Sequence, residues 1–271
     1  MRVAAIYDIH GNLPALEAVL DEINEAAPDL IVVGGDVAAG PMPAETIERL
    51  RTLDVPARFV MGNADRNMVA AYDGRLPFGL TTYVAEVTAW AAQQLNREQR
   101  DFLASFEPQV VLPVEGLGEV LFCHATPRSD TEIATSATPD ARMREIFAQV
   151  DQPLVVCGHT HMQFDRQPNG VRVVNAGSVG MPYCRPGAYW AKLGPEVTLW
   201  RTDYDLQAAA EQVRATAYPQ AEDFATSNIL QPPTAVEALA VFEKSAPVKQ
   251  QGNTSCSKAL WNQGILVSMA L

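Results

Sequence analysis

The chain holds four histidines in 271 residues, and each one closes a short β-type run. VAAIY (3–7) leads into Asp8 and His10, and VLFCHATP (120–127) carries His124. PLVVCGHTH (153–161) stops on His159 and His161. Two further runs end in the same manner: DLIVVGGD (29–36) on Asp36, and ARFVMGNAD (57–65) on Asn63 and Asp65. Carboxylate, amide oxygen and neutral imidazole all offer lone pairs. In GHTH the two imidazoles stand at i and i+2, so an extended segment presents both to one side. Histidines placed for packing or solubility would be scattered over helices and loops.

Each cluster alone has a plain structural explanation. D-x-H also makes a turn with a capping aspartate, Gly-Gly-Asp is ordinary turn chemistry, Asn63 suits a left-handed turn, and His124 fits a core with one hydrogen bond. The set is harder to explain that way. Asp8, His10, Asp36, Asn63, His124, His159 and His161 are seven ligand-type side chains, too many for one tetrahedral zinc and suited to two cations sharing a carboxylate. Two cations also supply the partner that a buried Asp or a close imidazole pair lacks. Such a centre activates water for hydrolysis and forms a local positive site in an otherwise acidic protein.

The elements that must position these residues alternate. Val3–Tyr7 reads as a buried strand, followed by a helix with Asn12 as N-cap and Leu13, Leu16, Val19, Leu20 and Ile23 at helical spacing. Strand 29–36, helix 44–53 and strand 57–65 continue the pattern, which predicts a mostly parallel sheet with covering helices. Residues 81–104 read as helical after a surface loop at 73–79. The second half is strand-rich, with runs at 120–127, 153–161, 171–180, 188–193 and 197–204 and a helix near 140–150. These five strands predict a second, mixed sheet packed on the first. The expected organisation is a main domain over 1–204, a small helical extension over 205–246 and a poorly ordered tail over 247–271.

Composition narrows the function classes. A formal net charge of −12 argues against binding a nucleic-acid polymer or an anionic membrane, since either needs Lys/Arg surfaces. Val3 to Tyr7 is too short for a secretory h-region, and no run reaches the roughly eighteen apolar residues of a membrane span. Four scattered cysteines, with no C-x-x-C, make neither a disulfide framework nor a zinc finger, so a reducing cytoplasm is the expected compartment. In a chain this acidic, any anionic substrate must be handled locally. An oligomer remains compatible with the sequence.

The order D-x-H, GD, GN-x-D, a lone His and GHxH, spelled here DIHGN, GGD, GNAD, CHATP and GHTH, resembles the calcineurin-like metallophosphoesterases, particularly their small prokaryotic phosphodiesterase-type members. The resemblance covers about residues 1–204. It implies an α/β fold, a four-layer α/β/β/α sandwich of two mixed β-sheets flanked by helices, here with the C-terminal helical extension. It further implies that Asp8, His10 and His161 hold one metal and Asn63, His124 and His159 the other, with Asp36 bridging. Asp36, Asn63 and His124 are then the expected catalytic groups, and the implied partner is a small phosphorylated substrate, a phosphodiester or nucleotide-type phosphate ester. Mixed N/O ligation suits Mn, Fe, Co, Ni and Zn alike.

One position departs from that pattern: Ala64 stands where many members carry a histidine that assists the leaving group. The departure predicts a preference for good leaving groups, and it is the feature that favours the alternative of a non-catalytic protein-binding scaffold on the same fold. A zinc peptidase is disfavoured by the lack of HExxH. Asn12, Asp65, Asn175 and Ser178, in polar or glycine-flanked strand ends, are candidate substrate contacts. Asp65 is also a candidate for orienting a ligand, and Tyr183 and Arg185 for shaping the pocket mouth. Cys123 and Cys157 are expected to point away from the metals as small core residues.

Overall fold

The computed structural model describes residues 1–76, 78–168 and 170–245. The expected tail over 247–271, with Cys256, lies outside the described residues. Two five-stranded sheets pack face to face. The first joins β1 (Val3–Ile6), β2 (Leu30–Val33) and β3 (Ala57–Phe59), all parallel, and continues antiparallel through β9 (Ala188–Leu193) and β10 (Val197–Thr202), in the order β10-β9-β1-β2-β3. The second has the order β4-β5-β6-β8-β7, from β4 (Gln109–Val114), β5 (Gly118–Cys123), β6 (Leu154–Cys157), β7 (Phe164–Arg166) and β8 (Arg172–Asn175). Its three central strands, β5, β6 and β8, are parallel.

Side-chain alternation produces the layers. Along β1, Val3, Ala5 and Tyr7 join Val110, Leu112, Val120, Phe122, Leu154 and Val156 in the core between the sheets. Ala4 and Ile6 face the other way, onto α1 (Leu13–Ala26), α2 (Pro43–Arg51), α3 (Asn63–Tyr72), α4 (Thr82–Gln93) and α5 (Arg97–Ala104). In α1 the apolar residues Leu16, Val19, Leu20 and Ile23 are all buried, each worth roughly 1.5–3 kcal/mol of burial. On the outer face of the second sheet, α6 (Asp140–Ile146) packs Met143 and Ile146 against Cys123, Val155 and Cys157. The α/β/β/α sandwich is thus the observed fold, and Cys123 and Cys157 are buried core residues on the side away from the sheet interface.

Several expected elements are corrected. The runs at 188–193 and 197–204 do not enlarge the second sheet. β9 pairs with the free edge of β1, because its residues alternate between both cores: Ala188 and Trp190 face the helices, Ala191 and Leu193 the sheet interface. The second sheet is completed instead by β4 and β7. β4 alternates exposed and buried residues and carries Pro113, tolerated because this is an edge strand. The third strand ends at Phe59, and GNAD opens α3. The helical stretch expected over 81–104 forms two helices, divided by a capping box in which Asn96 Oδ1 accepts from Gln99 N–H and Gln99 Oε1 from Asn96 N–H, both at 2.9 Å.

The extension is helical: α7 (Leu206–Arg214), α8 (Ala221–Phe224), a π-helical turn at Ala225–Leu230 and α9 (Ala235–Ser245). Its apolar residues pack on Met42, Val87 and Met181, while Ala238 and Phe242 of α9 pack on Ile133, Met162 and Tyr183. Among the described residues no helix is long and apolar enough to cross a membrane.

Candidate metal centre

The parallel strands of both sheets deliver their carboxyl ends to one edge, and the polar residues gather there. Three of these strands, β1, β2 and β6, stop in turns that need left-handed backbone. Asp8, His10, Asp36, His159 and His161 have φ of 53°, 50°, 54°, 66° and 56°, and Ala27 is the one other non-glycine residue with positive φ among those described. Asp and His tolerate this region better than most residues, yet each such position costs on the order of 1 kcal/mol or more. The turns after β1 and β2 hold one another through Asp8 N–H to Gly35 O at 3.0 Å and His10 N–H to Asp36 O at 2.9 Å. Two glycines allow the close approach: a Cβ on Gly62 would fall 2.2 Å from Asp36 Oδ1, and one on Gly158 would fall 2.5 Å from Asp8 Oδ2.

All seven ligand-type side chains are buried at this edge. Six of them fall into two groups that could hold a metal ion, Asp8, His10, His161 and Asp36, His124, His159, with ligand atoms inside each group within 4.8 Å of one another. Asp36 Oδ2 stands between the groups, 3.4 Å from His124 Nε2 and 3.9 Å from His10 Nε2. Asn63 joins the second group, its Oδ1 3.1 Å from His124 Nε2.

The imidazole tautomers follow from backbone acceptors. His10, His124 and His161 each place Nδ1 on a carbonyl, Ala39 O at 3.2 Å, Gly34 O at 2.9 Å and Met181 O at 2.7 Å. Donation through Nδ1–H leaves Nε2 bare and aimed inward. The Nε2 atoms of His10 and His161 then face each other at 3.2 Å as two lone pairs, a repulsive contact that a cation between the residues relieves. Asp8 Oδ1, Asp36 Oδ2 and His159 Nε2 are buried without any hydrogen-bond partner among the described residues. Orphaned acceptors on three of the proposed ligands are what a pair of bound divalent cations would complete, so the donor set fits them.

Charge distribution agrees. Burial would raise Asp8 and Asp36, but His161 and His124 respectively outweigh it and hold both carboxyls below the usual range. Burial, then the neighbouring His161, lowers His10 to about 4, and burial, then His124, lowers His159 to about 4. Burial also opposes charge on His124, yet the Asp36 and Asp8 anions push it up to about 10. Positive charge is thus favoured at this position, where a bound cation would supply it. Turned over, the Asn63 amide would donate to His124 Nε2, His159 Nδ1 and Asp130 O at 3.1 Å each and accept from Ala64 N–H at 3.2 Å, so oxygen inward is the orientation that a cation in the second group would favour.

The remaining carboxylate oxygens are anchored. Asp36 Oδ1 accepts from Ala64 N–H at 2.8 Å, at the N-terminus of α3, where the helix dipole favours an anion. Asp8 Oδ2 accepts from His159 N–H at 2.8 Å. Asp65 is fully buried: Oδ2 accepts from Asp36 N–H at 2.7 Å and Gly62 N–H at 3.1 Å, and Oδ1 from Val37 N–H at 2.9 Å. Burial and the nearby Asp36 push its carboxyl up to about 7, opposed by these N–H donors.

The protein itself engages the four residues expected as substrate contacts. Asp65 holds the Asp36 turn. Asn12 Oδ1 caps α1 at Ala15 N–H, and its amide donates to Gly180 O at 3.0 Å. Asn175 donates to Gly158 O at 2.6 Å and accepts from Gly177 N–H at 2.8 Å. Ser178 donates to Asp8 O at 2.7 Å and accepts from Met181 N–H at 2.8 Å. All four are buried and lock strand ends in place. Arg185 is exposed, whereas Tyr183 is fully buried against His161. The acceptors Gly34 O, Ala39 O and Met181 O were invisible beforehand, since a backbone carbonyl carries no sequence signal.

A family model described as the calcineurin-like phosphoesterase superfamily domain matches residues 1–192. An uncharacterized protein of Methanocaldococcus jannaschii is 27% identical over 242 residues, 80% of this chain and 94% of that protein. A symmetrical bis(5'-nucleosyl)-tetraphosphatase of Baumannia cicadellinicola is 26% identical over 167 residues, 60% of this chain but 54% of that relative, so the match spans about half of its length. Among solved structures, a metallophosphoesterase of Sphaerobacter thermophilus superposes with TM-score 0.66 at 29% identity, covering 83% of this chain and 97% of that one. A hypothetical protein of Pyrococcus horikoshii OT3 superposes with TM-score 0.73 at 20% identity, covering 86% and 99%.

Proposed function

Because the chain belongs to the calcineurin-like phosphoesterase superfamily, we propose that it is a phosphohydrolase dependent on two divalent cations, cleaving phosphodiesters or nucleotide-type phosphate esters with water. The observation that carries this reading is the pair of buried groups flanking Asp36, with unpartnered acceptor atoms at their centre. Asp8, His10 and His161 would hold one ion, Asn63, His124 and His159 the other, and Asp36 both. When bound, two such cations supply Lewis-acid activation of water and neutralisation of the phosphoryl charge.

The chain's own residues do the rest. Carbonyls of Ala39, Gly34 and Met181 keep three imidazoles with Nε2 free, and Ala64 N–H with Asp65 holds Asp36 in its left-handed turn. Burial excludes bulk water and strengthens every interaction in the crevice. Position 64 brings no imidazole to the leaving group, so esters of acidic alcohols and phosphoanhydrides are the favoured substrates. The tetraphosphatase relative adds dinucleoside polyphosphates to the panel worth assaying.

The test is hydrolysis of bis-p-nitrophenyl phosphate and diadenosine tetraphosphate by protein loaded with Mn²⁺, Co²⁺, Ni²⁺ or Zn²⁺, paired with metal analysis. Turnover at two ions per chain supports the reading. Two bound ions without turnover on either substrate favour a protein-binding scaffold, the reading that Ala64 favours. A protein that takes up no metal refutes both the ligand assignment and the activity.

A further inference from the structure

Among the described residues, the unpartnered buried polar atoms outside the ligand set include the hydroxyl of Tyr183. Those of Thr46, Tyr218 and Asn228 lie in α2 and in the extension, but Tyr183 touches the centre itself. Its ring stacks on that of His161, with centroids 4.8 Å apart and planes at 21°. Its N–H donates to His161 O at 3.3 Å, and Met181, two residues earlier, receives His161 Nδ1–H at 2.7 Å. Tyr183 is therefore tied to that histidine through ring and backbone alike.

The other surroundings are apolar. The Phe242 ring of α9 lies 6.0 Å away by centroid, and Ile133, Met162 and Ala238 complete the cluster. A buried hydroxyl without a partner is destabilising by roughly 1–3 kcal/mol. Retaining it beside a site built for anions is explained if an anion supplies the acceptor.

We propose that Tyr183 is a substrate contact, its hydroxyl donating a hydrogen bond to a non-bridging oxygen of the phosphoryl group bound on the Asp8, His10, His161 side. The proposal rests on the phosphohydrolase reading and deepens it: the protein offers a neutral O–H donor at the Asp8 half of the centre while offering no imidazole at position 64. Donation to a charged oxygen gives a short, strong bond and needs no proton transfer.

Tyr183→Phe keeps the ring, the stack and the packing and removes only the donor. With both metals bound, the variant should retain wild-type metal content and an equal or higher melting temperature, because an unsatisfied hydroxyl is gone. Its kcat/KM for phosphodiesters and its affinity for inorganic phosphate, measured by calorimetry on the metal-loaded protein, should both fall roughly 10- to 100-fold. Tyr218→Phe, which removes an equally buried and unpartnered hydroxyl from the extension, should leave both unchanged. Wild-type phosphate affinity in Tyr183→Phe, or equal losses in the two variants, overturns the proposal. Phosphate binding requires no turnover, so an inactive wild-type protein would sink the hydrolase reading while the calorimetry still decides the Tyr183 contact.

Discussion

Asp65→Asn is the most informative single substitution outside the ligand set. Asp65 receives three backbone N–H groups, those of Asp36 and Gly62 on one oxygen and of Val37 on the other. The amide's best orientation keeps its oxygen on Asp36 and Gly62 and turns its NH₂ against Val37 N–H. One charge-assisted bond is lost, a buried donor is stranded, and the two surviving bonds become neutral. Relief of the repulsion with Asp36 offsets part of this loss, which leaves a net destabilisation of about 2–4 kcal/mol. For a chain of this size that is roughly 4–16 °C in melting temperature. Because the bond to Asp36 N–H fixes the turn from which both ions would be held, affinity at both sites should also fall, by about 10- to 100-fold. Calorimetric metal titration and thermal melts of metal-free and metal-loaded protein read both effects. Wild-type affinity at either site together with an unshifted melting temperature would refute the assigned role.

Asp36→Asn should weaken both metals by more than the roughly 10- to 100-fold typical of losing an outer hydrogen-bond partner, and two-ion occupancy with normal turnover would contradict its bridging place. Adding Mn²⁺ to chelator-stripped protein should raise the melting temperature, since each site at a hundredfold excess over its dissociation constant contributes about 2.7 kcal/mol; an unmoved transition would mean that the orphaned acceptors have no cation partner. Ala64→His should raise turnover of esters with poor leaving groups by roughly 10²-fold relative to p-nitrophenyl esters, read as a shallower dependence of rate on leaving-group pKa. An unchanged slope would show that position 64 does not face the leaving group.

The gathering of ligand-type side chains was legible because metal chemistry restricts residue type, and four histidines confined to strand ends are hard to produce by packing. The sandwich was legible in its parallel half, where Val3–Ile6 and Leu30–Val33 are continuous apolar runs. Strand partnership was not. Whether Ala188–Leu193 joins one sheet or the other depends on which edge is free, and β1 offered its edge across about 180 residues of chain. Helix α3 was hidden because its first turn, NADR, follows directly on a strand-like run, and its tertiary role of presenting N–H groups to Asp36 overrides weak local propensity. The internal bonds of Asn12, Asn175 and Ser178 were not legible, because polar residues beside glycine suit both phosphate and backbone. Only their partners distinguish the two.

The left-handed backbone at Asp8, His10, Asp36, His159 and His161 restricts substitution at these positions before any ion is considered. Valine, isoleucine or threonine there would be disfavoured by conformation alone, whereas glycine or asparagine would relieve it. Drift at these five codons should therefore run toward small or amide side chains, yielding lineages that keep the sandwich, melt higher without ions, and have surrendered the chemistry.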